Sequence, residues 1–355
     1  MVINTILSNI ILGAYKVTAK EGRVLVLGDW DADGVVAAAL LIYAQRYSKK
    51  YPVEGEAEVD KIPIDPNRLK YLLSAISGKH DVVIVLDVPF SDVLASVVKL
   101  LKAHFEVSRV IFVDHHIASI QRVNEISSVF DEVIVDFKKP TSLLLYEELS
   151  KRGIRVHERL GKFVEVVKYM DAGRKVPDRL MKLFEIAKIF SKALTAMRSE
   201  ELWSKIVDWL ANPEPLPMPL DEATWRKAKE IIEQRDREVS EVARDLAVTA
   251  VKVGDLRFID ARGYWKKRGA TALASRLSSI LKAPVAVLVD TNRGFPLLIV
   301  KAPAGRAYRV AKYLLAEGVA QDIAGHPNLA IVRVPESIDK NKLIETLYTA
   351  LYYAS

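Results

Sequence analysis

The sequence predicts a two-domain α/β protein: an N-terminal, mostly parallel sheet with helices on both faces, and a smaller C-terminal α/β domain. Three observations predict it. The first half alternates short, β-branched apolar runs with helical patterns, the signature of a parallel sheet covered on both faces. Each of four successive runs ends in an aspartate. The 355 residues allow two domains, at ~150 residues each.

The apolar runs are RVLVLG, ending in Asp29; DVVIVL, ending in Asp87; RVIFV, ending in Asp114; and EVIV, ending in Asp136. In open α/β sheets, ligands bind beyond the carboxyl ends of the strands. One aspartate there is ordinary, because it often caps the next helix. Four in succession put several carboxylates on one rim. Asp136 is the one expected to act only as a cap. Residues 142–210 read as helices, in SLLLYEELSKRG, ERLGKFVEVVKYMDAG and LMKLFEIAKIFSKAL. The Pro-rich stretch NPEPLPMP, residues 212–219, breaks the pattern. A long helix follows, from Asp221 as N-cap to Thr249, with Trp225, Ile232, Val239 and Leu246 at seven-residue spacing. The division is therefore 1–210 for the first domain, 211–250 for a linker and connector helix, and 251–355 for the second domain. In the last part, the strand runs DLRFID, PVAVLVD, PLLIVKA and LAIVRV mix with the helical runs GATALASRLSSIL, RVAKYLLAEG and KLIETLYTALYY.

Half of the residues are hydrophobic, enough for sizeable cores. The formal net charge of +7 mildly favours a polyanionic partner, but equally fits any soluble basic protein. The absence of cysteine excludes disulfides and thiolate metal sites, leaving Asp, Glu and His as ligands. It fits an intracellular, cytoplasmic protein. The 52 Lys+Arg and 45 Asp+Glu could feed the ion-pair networks of a thermophile. The first residues lack a basic region and a small-residue cleavage site, and no apolar run reaches ~20 residues, so neither a signal peptide nor a membrane span is expected.

Charge is densest in GDWDADG, residues 28–34, where Asp29, Asp31 and Asp33 alternate with other residues. Such crowding costs stability unless a cation compensates. The pattern matches the start of an EF-hand through Gly34, but the twelfth position, which needs a bidentate Glu, is Leu40. The preceding run also reads as a strand, not a helix. A solvated acidic turn fits poorly before the apolar VVAAALLIYA. The third run exits as VDHH, placing Asp114, His115 and His116 on the same rim. Asp171, in YMDAG, lies near the end of an otherwise apolar helix, where an unpaired carboxylate would be costly. An oxygen-rich set with imidazole and no sulfur suits Mn²⁺ or Mg²⁺ better than a closed structural zinc site. Two such ions ~3.5–4 Å apart need a bridging ligand and lower the pKa of a shared water.

DWDADG, Asp87 after VVIVL, VDHH and the later Asp171 resemble the four ordered motifs of the DHH phosphoesterase superfamily, in particular its RecJ-like nucleases. The likeness covers the N-terminal ~200 residues. It implies a pair of Mn²⁺ or Mg²⁺ ions. Asp31 and Asp33 would be ligands of different ions, with Asp29 beside them, and Asp87 would bridge. His115 and Asp171 would complete one sphere. His116 would face the phosphate or leaving group, and Asp114 would orient the histidines.

Relatives of this kind carry a C-terminal domain marked by a GGGH stretch that grips the substrate. Here DIAGHPNLA keeps Gly325 and His326 of it. Arg309, in AYRV, stands where the family places a phosphate-binding arginine. Arg268, in KKRGATALASRL, precedes a helix N-terminus, a natural anion site. The resemblance implies that these residues hold the substrate, with Arg309 and His326 away from the metals. The function it implies is a metal-dependent exonuclease on single-stranded nucleic acid, DNA by preference, similar to archaeal RecJ-like nucleases. The alternatives are a phosphodiesterase for very short oligonucleotides or cyclic dinucleotides, and a non-catalytic replisome scaffold. Every expected ligand is present, which favours the enzyme. A helicase or replisome partner fits any of the polymer readings.

Overall fold

A computed structural model describes residues 22–266, 269–291 and 294–354. The first unit runs β1 (Gly22–Gly28), α1 (Ala32–Arg46), β2 (Ala57–Pro63), α2 (Leu72–Ala75), β3 (Val82–Leu86), α3 (Asp92–His104), β4 (Arg109–Asp114), α4 (Ile117–Gln121), α5 (Val123–Val129) and β5 (Glu132–Val135). The helices α6 (Thr141–Lys151), α7 (Glu158–Asp171), α8 (Met181–Met197) and α9 (Glu200–Ala211) complete it. The five strands form one parallel sheet in the order β2-β1-β3-β4-β5.

Strand alternation decides which residues meet which helices. Val24, Val26, Ile84, Leu86, Ile111 and Val113 face one layer, built on α1 and α6 to α9. Leu25, Leu27, Val83, Val85, Val110 and Phe112 face the other, under α3 and α5. α1 is apolar all round, as a helix must be when it lies between the sheet and further helices. The expected strands β1, β3, β4 and β5 are all present. β2 escapes the search for apolar runs because it is an edge strand. Its sequence AEVDKIP carries Glu58 at an exposed position and Asp60 and Lys61 at half-buried ones.

The connector is α10 (Glu222–Ala247), capped by Asp221, whose side chain accepts from Thr224 N. Beyond it come β6 (Val251–Val253), β7 (Leu256–Asp260), α11 (Ala270–Leu281), β8 (Val285–Val289), β9 (Leu297–Lys301), α12 (Arg306–Ala316), β10 (Asp322–His326), β11 (Leu329–Arg333) and α13 (Lys340–Tyr353). Their sheet has the order β10-β11-β9-β8-β7-β6 and is antiparallel except for the β7–β8 pair. It is the smaller, mixed α/β unit expected from the sequence, with β6 and β10 as additional edge strands.

Gly34 ties the first loop to α1. A Cβ there would lie 2.7 Å from both the backbone N and O of Asp29. Gly153 has φ +72, but an added Cβ would meet nothing within 4 Å. Gly153→Ala should therefore cost only the left-handed backbone penalty, about 1–2 kcal/mol. Gly34→Ala should cost more, about 2–4 kcal/mol, because backbone must move. Urea denaturation of both variants measures this, and equal midpoints would contradict the assignment.

Candidate metal centre

The carboxyl rim is assembled from loops that continue the strands. After β1, Asp29 N donates to Leu86 O at 3.3 Å, lacing the first loop to β3. Trp203 of α9 donates from its indole to Asp29 O at 3.0 Å. Asp31 caps α1, its Oδ1 accepting from Asp33 N at 2.8 Å and Gly34 N at 3.1 Å. Its other oxygen makes no such cap bond.

Asp33 is buried in the first turn of α1. Its two oxygens accept from Thr141 N at 2.7 Å and Ser142 N at 2.8 Å. Those amides open α6 and have no partner within their own helix, so the helix N-terminus receives a carboxylate, as its dipole favours. Thr141 Oγ1 also donates to Asp87 Oδ1 at 2.9 Å. Asp87 itself has φ +61, a costly conformation for a residue with a Cβ. Its amide donates to Val113 O at 3.0 Å, which holds that turn against β4.

Asp114 ends β4 and is fully buried. Its Oδ1 lies 2.8 Å from His116 Nδ1, and its Oδ2 accepts from His116 N at 3.2 Å. Oδ2 also accepts from the Ser119 hydroxyl. His116 is thus oriented through Nδ1. His115 turns the other way, with Nε2 3.4 Å from Asp87 Oδ1 and 3.6 Å from Asp33 Oδ2. Among the described residues, four sets of three potential ligand atoms lie within 4.8 Å of one another: His115–His116–His326, Asp87–Asp114–His116, and the two richest in carboxylates not already tied to His116, Asp33–Asp87–His115 and Asp29–Asp31–Asp87. Asp87 belongs to both of the last two. Oxygen donors with one imidazole fit Mn²⁺ or Mg²⁺.

The remaining candidates fall differently. Asp171, at the end of α7, lies outside all four sets, and its Oδ1 is 3.9 Å from His326 Nδ1. His326 corrects the expectation that it stands away from the metals. Its ring centroid lies 4.7 Å from that of His115 and 5.0 Å from that of His116. The hairpin β10–β11 carries it there. Gly325 allows the hairpin, with φ +98 and only 2.4 Å between a would-be Cβ and Leu329 O. Arg309 is already engaged: Nε and Nη2 donate to Ala354 O at 3.0 and 2.9 Å, and Nη1 donates to Ala304 O at 3.0 Å. In this arrangement three of its donors tie α12 to the end of α13, rather than standing free for phosphate. Arg268 lies outside the described residues. Asp136 makes a local turn, accepting from Lys138 N at 2.9 Å, and α6 is capped by Pro140 instead. Thr141, Ser142 and Ser119 were missed. The signal for the first two was available, as a Pro-Thr-Ser opening a helix directly after a strand exit.

Burial pushes Asp29 up to about 7, with Asp31 adding to the effect, and raises Asp33 to about 6. Asp87 is pushed well up, by burial and then by Asp33. Burial alone would lower His116, but the Asp114 charge and hydrogen bond outweigh it and raise His116 to about 9. Burial among the other imidazoles lowers His326 to about 3. Unfolded carboxylates titrate near 4 and histidine near 6.5. Above pH 6.5, His326 is neutral when folded, and its unfolded form sheds its remaining half proton by about pH 7.5, a small opposing slope that vanishes above that pH. Asp29, Asp87 and His116 hold protons more tightly when folded, so stability falls as pH rises from 6.5 through about 7 and towards about 9. Metal-free protein should therefore melt at a lower temperature at pH 9 than at pH 6.5, and Mn²⁺ should reverse the loss. A melting temperature that rises over this interval without metal would contradict the charge assignment.

Known proteins share this fold. The family model described as DHH family, N-terminal domain, matches residues 23–175. No curated protein sequence matches the chain. Among solved structures, a DHH domain protein described as a member of the s1p family of ribosomal proteins superposes with a TM-score of 0.62 at 15% identity, covering 93% of this chain and 86% of that one. RecJ in complex with Mn²⁺, from Thermus thermophilus, gives 0.56 at 17% identity, covering 94% of this chain and 52% of RecJ. This chain therefore spans about half the length of that RecJ. The pGpG-specific phosphodiesterase PggH from Vibrio cholerae gives 0.50 at 11% identity, covering 94% of this chain and 100% of PggH. At these identities the likeness is one of fold. The segment that matches the DHH family model contains the sets Asp33–Asp87–His115 and Asp29–Asp31–Asp87 and the Asp114-His115-His116 triplet, so the similarity to the DHH family rests on the residues of the candidate site itself.

Proposed function

We propose that the protein is a metal-dependent phosphodiesterase that hydrolyses single-stranded nucleic acid from an end, in the cleft between its two units. The observation that carries this reading is that Asp87 is common to the sets Asp33–Asp87–His115 and Asp29–Asp31–Asp87. Asp33, Asp87 and His115 would hold one ion, and Asp29, Asp31 and Asp87 the other. Bound there, a pair of ions would clamp the phosphate oxygens and ease deprotonation of water. The buried carboxylates fit such ions, since burial without a cation leaves Asp29 and Asp87 favouring protonation.

The chain's own residues supply the rest. Asp114 keeps His116 protonated and engages its Nδ1, so that Nε2 would be the atom to donate to a phosphate oxygen or to the departing oxygen. His326 comes from the second unit, neutral and close to both histidines, where it would meet the same phosphate. The tie between units is reinforced by Gln121 Nε2, which donates to the Tyr308 hydroxyl at 2.8 Å. A polymer threading this cleft would benefit from the net charge of +7. The close seat of His326 also suits a dinucleotide, and product length separates the two substrates.

The test uses end-labelled single-stranded DNA, a dinucleotide and a small chromogenic phosphodiester, each with Mn²⁺ and with EDTA. Activity should require the ion. Asp87→Ala should lower kcat by at least about 10³-fold on every substrate, in line with loss of a principal electrostatic group. His326→Ala should lower turnover of both the oligonucleotide and the chromogenic ester, about 10- to 100-fold, because it sits at the reacting centre. A His326→Ala enzyme impaired on the oligonucleotide alone would return that residue to remote substrate binding. EDTA-resistant cleavage would remove the metal mechanism altogether.

A further inference from the structure

The loop between β5 and α6 reads Asp136-Phe137-Lys138-Lys139-Pro140. It is bolted to the metal centre at both ends. On one side, Val135 pairs with Asp114 in the parallel register of β4 and β5. The residues that follow on each strand, His115-His116 and Asp136-Phe137, therefore leave the sheet at the same height, on neighbouring strands about 4.8 Å apart. On the other side, Thr141 and Ser142 hold Asp33. The loop cannot shift without disturbing a ligand carboxylate.

Within this loop Phe137 is 44% exposed. The β5 residues below it, Val133 and Val135, already pack into the layer containing Phe112. The turn is set by the Asp136 carboxylate on Lys138 N, at 2.9 Å. Lys138 Nζ stands 5.7 Å from the Phe137 ring centroid. Lys139 pairs with Glu147 at 2.6 Å, whereas Lys138 makes no ion pair among the described residues. An exposed aromatic ring with an uncommitted cation, fixed beside a phosphate-processing centre, is the pairing by which proteins hold a single strand: the ring takes a base face and the cation takes the backbone.

We propose that Phe137 and Lys138 form a base-and-phosphate step next to the metal centre, on which a nucleobase of the substrate stacks while the adjoining phosphate meets Lys138. This deepens the phosphodiesterase reading and rests on it, naming base-bearing strands, rather than phosphodiesters in general, as the substrate class. Phe137 is then a specificity-determining residue. Its contribution depends on the presence of a base and is indifferent to which base, since every base has a stacking face.

The experiment compares an oligo(dT) with an abasic oligonucleotide of the same length, with Mn²⁺, on wild type, Phe137→Ala and Phe137→Trp. The preference for the base-bearing strand, as a ratio of kcat/KM, should fall roughly 5- to 100-fold in Phe137→Ala, the range expected for one lost stack. It should persist in Phe137→Trp, which keeps an aromatic face. In metal-free buffer, the emission added by Phe137→Trp should be quenched by the oligo(dT) and not by the abasic strand. An unchanged ratio in Phe137→Ala, or equal quenching by both strands, would overturn the proposal. If wild type cleaved neither strand, the hydrolase reading would fall, and the quenching comparison would still decide the stacking.

Discussion

Each oxygen of the Asp33 carboxylate sits on a backbone amide at the start of α6, Thr141 N at 2.7 Å and Ser142 N at 2.8 Å. Much of the rim depends on this contact. It joins the first turn of α1 to the first turn of α6, elements 108 residues apart in sequence. It supplies a buried carboxylate with fixed donors that cannot relax away, because they belong to a helix. The same Thr141 reaches Asp87 through its hydroxyl, so one helix start steers two carboxylates that would otherwise repel. Compensation is incomplete. Burial still drives Asp29, Asp33 and Asp87 towards their neutral forms. A cation shared through Asp87 would relieve that residual cost.

Backbone strain is placed at the same spot. Asp87 adopts φ +61, although glycine would do so more cheaply. The hydrogen bond from its amide to Val113 O holds it, and the result is a carboxylate within reach of candidate ligand atoms on both sides, Asp33 and His115 in one set and Asp29 and Asp31 in the other. A strained, buried, like-charged residue is a poor contributor to stability. Its persistence makes sense where the geometry is used.

Much of this was legible in the sequence because the rim is local. Asp29, Asp31, Asp33, Asp87 and the Asp114 triplet lie at or just beyond strand ends, and strand ends can be read from apolar runs. Long-range placement could not be read the same way. The approach of His326 to His115 depends on how the second unit docks, and no spacing encodes that. Arg309 looked like an anion ligand by its position, yet Ala354 O and Ala304 O occupy its guanidinium. β2 was hidden by Glu58, Asp60 and Lys61, the polar residues an edge strand tolerates. Thr141 and Ser142 hold Asp33 through backbone amides, which leave only the faint trace of a helix start.

The central claim is that Asp87 joins two cation sites. Titration of the metal-free protein with Mn²⁺, followed by calorimetry and by the electron paramagnetic resonance of free Mn²⁺, counts ions per chain and tests it most directly. The account predicts two Mn²⁺ for the wild type and at most one for Asp87→Asn, with Asp136→Asn still binding two. A single ion in the wild type, or two retained by Asp87→Asn, would contradict it.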